Sequence, residues 1–147
     1  MNSRLGAVWE PPGRCRFRVW APHAEKVEVR IVAPQKRTVA MEAEDRGYHQ
    51  AVVEDIQPGS LYLYRLHGKT EKKERPDPAS RSQPQGVHGP SEIIDPRFRW
   101  DEGAWQGASL EDYVLYELHV GTFTPEGTFD AAIERLDELQ DLGITAI

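Results

Sequence analysis

The sequence predicts a mainly β chain in which an immunoglobulin-like sandwich of antiparallel strands precedes the first βα unit of a larger α/β domain. Two patterns predict this order. Between residues 15 and 66, apolar and polar residues alternate in short runs that Gly or Pro closes about every 8–12 residues, as in antiparallel strands with one buried face. After residue 128 the apolar spacing becomes that of an amphipathic helix, and a short apolar segment follows it.

Five segments carry the strand pattern. In the first, the apolar residues Cys15, Phe17 and Val19 alternate with two arginines and Trp20 before Pro22 ends the run. The others are 27–31, 38–41, 48–53 and 61–66. Tyr62 and Tyr64 share a face with the apolar Leu66, so we expect both tyrosines in the core.

A charged run and a proline-rich segment follow the last of these strands. Residues 68–75 (GKTEKKER) are predicted to form an exposed turn without a binding role. Residues 75–96 contain five prolines, which exclude a central strand or a helix because proline lacks a backbone donor. The segment also contains Val87, Ile93 and Ile94. We therefore expect an extended connector that lies against a surface.

The last part of the chain predicts a strand at 113–120, a loop at 121–128, a helix at 129–142 and a second strand from 144. Thr128 suits the N-cap and Gly143 the left-handed position after the helix. The apolar residues of the helix fall on one stripe: Phe129, Ile133, Leu136, Leu139 and Leu142. A single βαβ unit cannot cover both faces of its strands, which indicates the front end of a larger domain.

Composition and charge exclude several classes of partner. The chain has 147 residues, is 39% hydrophobic and carries a net charge of −6, so neither nucleic acid nor anionic lipid is an expected partner. Residues 1–100 carry 17 Lys and Arg against 13 Asp and Glu (+4), whereas residues 101–147 carry 1 against 11 (−10). This change near Trp100 favours two units with different surroundings.

Cysteine usage and hydropathy bound the compartment. Cys15 is the only cysteine, so neither an internal disulfide nor a cysteine metal site is expected. There is no signal pattern at the start, and no apolar run approaches the ~20 residues of a membrane span. We expect a soluble, cytoplasmic protein without a membrane partner. The histidines lack metal-ligand spacing, and no metal site is predicted.

Three stretches resemble a known group of enzymes. Residues 17–29 (FRVWAPHAEKVEV) resemble the start of the β-sandwich module that precedes the barrel in glycogen-branching and related enzymes of the α-amylase superfamily. Residues 75–96, which contain GVHGPS, and residues 116–129 (YELHVGTFTPEGTF) resemble the maltooligosyltrehalose trehalohydrolases of that superfamily. The resemblance covers the chain from about residue 8 onward.

The resemblance implies both an architecture and an activity. It divides the chain into a β-sandwich at 8–68, a proline-rich connector at 69–111 and the start of a truncated TIM (β/α)8 barrel at 112–147. Such enzymes hydrolyse the α-1,4 bond next to a terminal trehalose unit of a malto-oligosaccharide, without a cofactor. Their Asp nucleophile, Glu acid/base and second Asp follow barrel strands four, five and seven. We therefore expect no catalytic residue in this chain, which by itself should be inactive.

The resemblance and the residues together leave two alternatives open. The parent protein could be a branching or debranching enzyme with the same module. The chain could also be a non-catalytic β-sandwich that binds α-glucan through its aromatic residues.

Two residues are candidate substrate contacts. His119 is expected at the carboxyl end of the first barrel strand, where substrate would lie; the alternative is a structural histidine bonded to neighbouring loops. Trp20 lies on the face opposite Phe17 and could stack on a sugar ring, or could be covered by the next domain. Glu117 is predicted to be structural. Trp100 and Trp105, on either side of residues 101–103, are predicted to wedge the junction between sandwich and barrel.

Overall fold

The computed structural model describes residues 4–69, 71–100, 103 and 106–147. It separates two compact units, Met1–Phe98 and Arg99–Ile147, which are called unit 1 and unit 2 below. The boundary lies close to the predicted change in charge balance at Trp100. Trp105, Asp101 and Glu102 lie outside the described residues, so the predicted wedge at the junction stays a prediction.

The part of unit 1 that the structure describes forms two antiparallel sheets. Its strands are β1 Gly6–Glu10, β2 Arg14–Trp20, β3 Lys26–Ala33, β4 Arg37–Ala40, β5 Glu42–Ala43, β6 Tyr48–Val53, β7 Leu61–His67, β8 Lys72–Arg75 and β9 Ser91–Glu92. One sheet has the order β1-β2-β6-β5. The other has the order β4-β3-β7-β8, and β9 pairs with β7. The predicted mainly β fold is confirmed.

The core of unit 1 lies between the inner faces of the two sheets. Its buried side chains include Cys15, Phe17 and Val19 from β2, Val27, Val29 and Ile31 from β3, and Tyr62 and Tyr64 from β7. Phe17 and Tyr62 meet edge to face, with ring centroids 4.9 Å apart. Both tyrosines are 1% exposed, which confirms their predicted place in the core.

The five predicted strands are present, but the charged run is not the turn that was expected. Residues 72–75 form β8, which pairs with β7 so that Arg65 lies opposite Glu74. The prediction was wrong because charged side chains are tolerated on an edge strand when they point away from the core. The short strands β1, β5 and β9 were not predicted.

The proline-rich connector lies against the sandwich, as predicted. Ile93 is 1% exposed, and the neighbouring β9 extends the second sheet. The buried Asp77 accepts hydrogen bonds from the hydroxyls of Tyr62 at 2.7 Å and Tyr64 at 3.2 Å. The amide of Asp77 donates to Ser91 Oγ at 2.9 Å. These buried contacts attach residues 77–93 to the core. The predicted boundaries between sandwich, connector and barrel stay predictions.

The described residues of unit 2 form three short α-helices: α1 Val120–Phe123, α2 Phe129–Ile133 and α3 Leu136–Asp141. Thr128 caps α2, since its hydroxyl accepts a hydrogen bond from the Ala131 amide at 3.2 Å. Gly143 has φ +92° and ends α3 with two bonds, Gly143 N to Gln140 O at 2.8 Å and Ile144 N to Leu139 O at 3.0 Å. Both predicted helix ends are confirmed.

The single helix predicted over 129–142 is divided in two. Arg135, with φ −104° and ψ 1°, separates α2 from α3. Its amide donates a hydrogen bond to Ala132 O at 3.1 Å, three residues back in the chain. An α-helix would bond four residues back, so this 3₁₀-type bond interrupts the α-helical hydrogen-bond pattern. The apolar spacing stays helical on both sides of Arg135. The sequence therefore contains no sign of the interruption.

The predicted strand at 113–120 is wrong as a continuous element. Among the described residues of unit 2, the pairing consists of an isolated parallel bridge between Leu115 and Ala146. Val120 begins α1, which occupies the start of the predicted loop at 121–128. Leu115 is 76% exposed, and parallel strands depend on neighbours that bury both of their faces. None of the helices formed by the described residues has the length and apolar character of a membrane span.

Candidate functional site

Trp20 is the last residue of β2 and lies on the outer face of its sheet. The preceding residues Phe17 and Val19 are buried, whereas Trp20 is 57% exposed, as the alternation predicts. Its indole Nε1 donates a hydrogen bond to the carbonyl of Arg46 at 3.0 Å. Because the indole N–H is already bonded within the protein, the ring offers a ligand its apolar face.

A tight turn at Arg46 and Gly47 accepts hydrogen bonds from the Trp20 indole and from the Ala21 amide. Arg46 and Gly47 both have positive φ, +62° and +81°, and the Gly47 carbonyl accepts a hydrogen bond from the Ala21 amide at 2.8 Å. A Cβ on Gly47 would lie 2.6 Å from Pro22 Cα, so only glycine allows this approach. The constrained turn and the hydrogen bond to Arg46 O therefore restrict the position of the Trp20 side chain in the unbound chain.

A cavity of about 400 Å³ adjoins Trp20. Apolar side chains supply much of its wall, and polar groups line the rest. The lining consists of Trp20, Ala21, Pro22, His23, Ala24, Leu66, His67, Gly68, Glu71 and Lys73. We call this cavity the Trp20 groove. An apolar floor with a few polar side chains is the usual make-up of a small-molecule site.

Four charged or polar side chains on the second sheet, Lys26, Glu28, Arg65 and His67, form a network that we call the charged ladder. Of these four, His67 also lines the Trp20 groove. His67 Nε2 lies 2.9 Å from Glu28 Oε2, and Glu28 also contacts Lys26 Nζ at 2.7 Å and Arg65 Nη1 at 3.6 Å. The hydrogen bonds from Lys26 and then from His67 lower the pKa of Glu28 to about 2. Glu28 is therefore an ionised acceptor beside the groove at neutral pH.

A second cavity of about 260 Å³ also lies against Trp20. It shares Trp20, Ala21 and Leu66 with the Trp20 groove and reaches the start of the connector at Pro76 and Pro78. Trp20 thus lines two adjoining depressions in the surface. A ligand longer than one ring could contact both.

His119 lies in unit 2, whereas Trp20 lies in unit 1. The prediction placed His119 at the end of a strand. In the structure it is instead the N-cap residue of α1. Its carbonyl accepts hydrogen bonds from the amides of Thr122 at 2.9 Å and Phe123 at 3.0 Å. His119 and Glu117 are both exposed. A substrate contact at His119 stays a prediction, as does a structural role for either residue.

The polar lining of the groove was not predicted from the sequence. Glu71 and Lys73 belong to the run that was predicted to be a turn without a binding role, yet both line the cavity. The alternation of β7 contained a signal for His67, because the inward residues Tyr62 and Tyr64 place it on the opposite face. His23 follows Pro22 in a turn, where side-chain direction cannot be predicted from alternation.

The described residues contain no group of three or more His, Cys, Asp or Glu side chains that could hold a metal ion. Cys15 is fully buried, and burial raises the pKa of its thiol to about 12. Such a thiol is not a nucleophile at neutral pH.

Residues 4–80 match the family model described as "Carbohydrate-binding module 48 (Isoamylase N-terminal domain)". This range includes all of β1 to β8, and therefore Trp20, Glu28 and His67. The match thus covers more than half of the chain and most of unit 1.

The chain is also similar to longer proteins. It is 46% identical over 131 residues to a malto-oligosyltrehalose trehalohydrolase of Saccharolobus solfataricus, an alignment of 89% of this chain and 22% of that protein. A solved structure from Salmonella typhimurium, provisionally described as an alpha amylase, superposes with a TM-score of 0.83 and 39% identity over 96% of this chain and 23% of that one. The solved structure of a pullulanase from Anoxybacillus sp. LM18-11, complexed with maltotetraose, superposes with a TM-score of 0.62 and 26% identity. That alignment covers 82% of this chain and 18% of the pullulanase chain. The chain thus spans under a quarter of the length of these proteins.

Proposed function

Because the chain belongs to the carbohydrate-binding module 48 family, we propose that unit 1 binds α-1,4-linked glucan across Trp20. The observation that carries the proposal is an exposed indole, fixed by Arg46 and Gly47, at the wall of a cavity with polar groups. Sugar rings present apolar C–H faces to aromatic platforms and hydroxyls to polar side chains. Malto-oligosaccharide is therefore the ligand class.

For the whole protein, we propose a glycoside hydrolase that releases trehalose from maltooligosyltrehalose by cleaving an α-1,4 bond. The 46% identity to a malto-oligosyltrehalose trehalohydrolase supports this activity. The run GTFTPEGTF at residues 121–129 supports it through the resemblance stated above. The 26% identity to a pullulanase is the basis for a debranching enzyme as the alternative.

We place unit 2 at the start of the catalytic TIM barrel. The parallel bridge between Leu115 and Ala146, with helices between the two residues, is the pairing expected of a first βαβ unit. The catalytic carboxylates would then follow later strands, outside these residues. We therefore propose that the 147-residue chain binds malto-oligosaccharide without hydrolysing it, and that its compartment is the cytoplasm.

A titration of the chain with maltoheptaose, followed by tryptophan fluorescence and calorimetry, tests the binding function. We expect saturable binding that Trp20→Ala weakens by about 5- to 150-fold, since stacking of one ring on an aromatic side chain contributes roughly 1–3 kcal/mol. Trp100→Ala is the matched control because Trp100 is also exposed, at 73%. An equal loss in both variants, or saturable binding that Trp20→Ala leaves unchanged, would contradict the assignment of the site.

The activity is tested separately with trehalose-capped maltoheptaose. The chain alone should release no trehalose, whereas a polypeptide that also contains the remaining barrel strands should release it. Release of trehalose by the purified chain would show that the catalytic residues lie within it. Action of the longer protein on pullulan, with none on the capped substrate, would favour the debranching alternative.

A further inference from the structure

Two adjoining cavities, of about 510 Å³ and about 270 Å³, lie in unit 1 apart from the Trp20 groove. Pro34, Gln57 and Ser60 line both of them, and the two cavities together are called the Ser60 groove below. Leu61, the first residue of β7, lines this groove, whereas His67, the last residue of β7, lines the Trp20 groove. A strand of this length spans about 20 Å. The two grooves therefore lie at opposite ends of the sandwich.

The hydroxyl of Ser60 is open to the Ser60 groove. Ser60 is 4% exposed, and its Oγ has no hydrogen bond with any residue that the structure describes. In that part of the chain, the polar side-chain atom that is both fully buried and unbonded is Nε of Arg16. The unbonded Oγ of Ser60 is therefore not fully buried, and the little surface that Ser60 exposes includes its hydroxyl. A nearly buried hydroxyl of this kind can bond to a ligand in the groove.

The backbone around Ser60 is held from two sides. The Ser60 amide donates to the Gln57 carbonyl at 3.2 Å and closes a turn, in which Gly59 has the positive φ, +87°, that suits the third position. From β9, the Ile93 amide donates to the Ser60 carbonyl at 2.9 Å, and the Ile93 carbonyl accepts from the Gly59 amide at 2.8 Å. The Ser60 backbone is thus ordered, and little further ordering is needed to bind a ligand.

Gln57 provides a second neutral polar group. Its Nε2 donates a hydrogen bond to the carbonyl of Pro12 at 2.9 Å, which leaves its Oε1 as an acceptor. Gln57 and Ser60 are the first and last residues of one turn, so their Cα atoms lie within about 7 Å of each other. Pro34 adds an apolar surface to the same part of the groove. Neutral hydrogen-bonding groups beside an apolar surface suit a ligand with hydroxyl groups and C–H faces.

The charged side chains of the Ser60 groove favour a neutral ligand. Among the described residues that line it, Asp55 and Glu92 are acidic and Arg37 is basic. Arg37 already donates to a backbone carbonyl at 2.5 Å, and Glu92 already accepts from Ser82 Oγ at 2.5 Å. An anionic ligand would meet two carboxyl groups and one guanidinium that is already bonded within the protein. A neutral carbohydrate avoids this repulsion.

Resting on the proposed glucan-binding function, we propose that the Ser60 groove is a second carbohydrate site of unit 1, and that α-glucan is its ligand. Ser60 Oγ and Gln57 Oε1 form hydrogen bonds with hydroxyls of the glucan. No aromatic residue is present among the described residues that line this groove, so it should bind more weakly than the Trp20 groove. Two sites about 20 Å apart let one sandwich contact glucan at two points, which raises the overall affinity.

Amide NMR spectra of the nitrogen-15-labelled chain, titrated with maltoheptaose, report on the two grooves separately. In the unmodified chain we expect saturable shifts at Gly59 and Ser60 for the Ser60 groove, and at Ala21 and Gly68 for the Trp20 groove. Trp20→Ala should weaken the response at Ala21 and Gly68. The same variant should leave the affinity measured at Gly59 and Ser60 unchanged, because that site makes no contact with the indole.

Ser60→Ala in the Trp20→Ala chain tests the hydroxyl itself. It should weaken the binding measured at Gly59 by about 2- to 10-fold, the range of one net hydrogen bond. Its Tm should change by less than about 2 °C, since no bond within the described residues is lost. Ser80→Ala is the matched control: Ser80 Oγ donates to Ser82 O at 2.9 Å, and Ser80 lines neither cavity. It should leave the affinity at Gly59 unchanged.

The outcomes separate the second site from the proposed function. If Ala21 responds to maltoheptaose but Gly59 and Ser60 do not, the second site is wrong and the glucan-binding function stands. Shifts at Gly59 that disappear in Trp20→Ala would show that they are transmitted from the Trp20 groove, and would also overturn the second site. The same holds if Ser60→Ala leaves the affinity at Gly59 unchanged. If no amide of the unmodified chain responds, both proposals fail.

Discussion

The two units contain similar local signals but differ in what they bury. In unit 1, apolar residues from both sheets form one core in which Phe17, Val27 and Val29 are 0% exposed. In unit 2, Ala132 is the buried apolar residue among those described, while Phe129 is 75% and Leu142 73% exposed. Helix caps are well formed in unit 2, yet they do not bring the apolar stripe into contact with a covering layer.

Local structure and burial are separate requirements in this chain. Thr128 and Gly143 need only their own neighbours to cap α2 and α3, so these signals act without a core. A parallel strand pair has no such local support, because its two faces must both be covered. Burial of apolar surface supplies most of the free energy of folding. Unit 1 should therefore carry nearly all the stability of the isolated chain.

Hydrogen exchange should show the largest difference between the units. We expect amides of β2 and β3 to exchange at least about 100-fold more slowly than the Tyr116 amide, which bonds to Ala146 O at 2.9 Å in the isolated bridge. The comparison is made on the monomeric 147-residue chain by mass spectrometry. Strong protection of residues 112–147 in that monomer would contradict the expectation that unit 2 depends on further packing.

A pair of phenylalanine substitutions tests the same contrast energetically. Phe17→Ala should lower the free energy of unfolding by about 3–5 kcal/mol, because it empties a fully buried site. Phe129→Ala, at a side chain that is 75% exposed, should change it by less than about 0.5 kcal/mol. Urea unfolding followed by circular dichroism measures both. Equal losses would show that unit 2 shares the cooperative core of unit 1.

Much of unit 1 could be predicted because alternation reports directly on burial. The pattern at residues 15–20 placed Trp20 outside and Phe17 inside, and the predicted bounds of Tyr48–Val53 are those observed. The missed strands lack that signal. β8 is charged throughout, and the two-residue β5 and β9 are too short for any periodicity. β9 also pairs with a strand that is distant in sequence, since Ser91 lies opposite Tyr62 of β7.

The binding groove was less predictable than the sheets that form it. Trp20 was a candidate from the strand pattern, but its partner Arg46 lies 26 residues away. His67 and Glu28 are 39 residues apart and meet only because β3 and β7 are neighbours. In unit 2 the sequence predicted a strand at 113–120 from apolar residues alone. Those residues pair only at Leu115, since propensity does not supply the missing neighbours.

The smallest expected effect is a dependence of unit 1 stability on pH through His49. His49 lies in β6 and is 6% exposed, and burial lowers its pKa from the usual 6.5, although Glu44 opposes the shift. Below that pH the unfolded chain binds a proton that the folded chain resists, so stability falls as the pH decreases. Asp77 acts in the opposite sense, because burial raises the pKa of its carboxyl above 3.8. Its contribution to the stability of unit 1 is present at low pH and is lost as the pH rises.

Comparing variants at each pH isolates the contribution of His49 from that of Asp77. Between pH 7.5 and 5.5, the unmodified chain should lose more unfolding free energy than His49→Gln, whose side chain does not titrate. Asp77 is present in both chains, so its opposing slope cancels in the difference. His119→Gln, at an exposed histidine of unit 2, is the matched control and should keep the slope of the unmodified chain. If His49→Gln also keeps that slope, the acid sensitivity of the sandwich does not come from the histidine buried in β6.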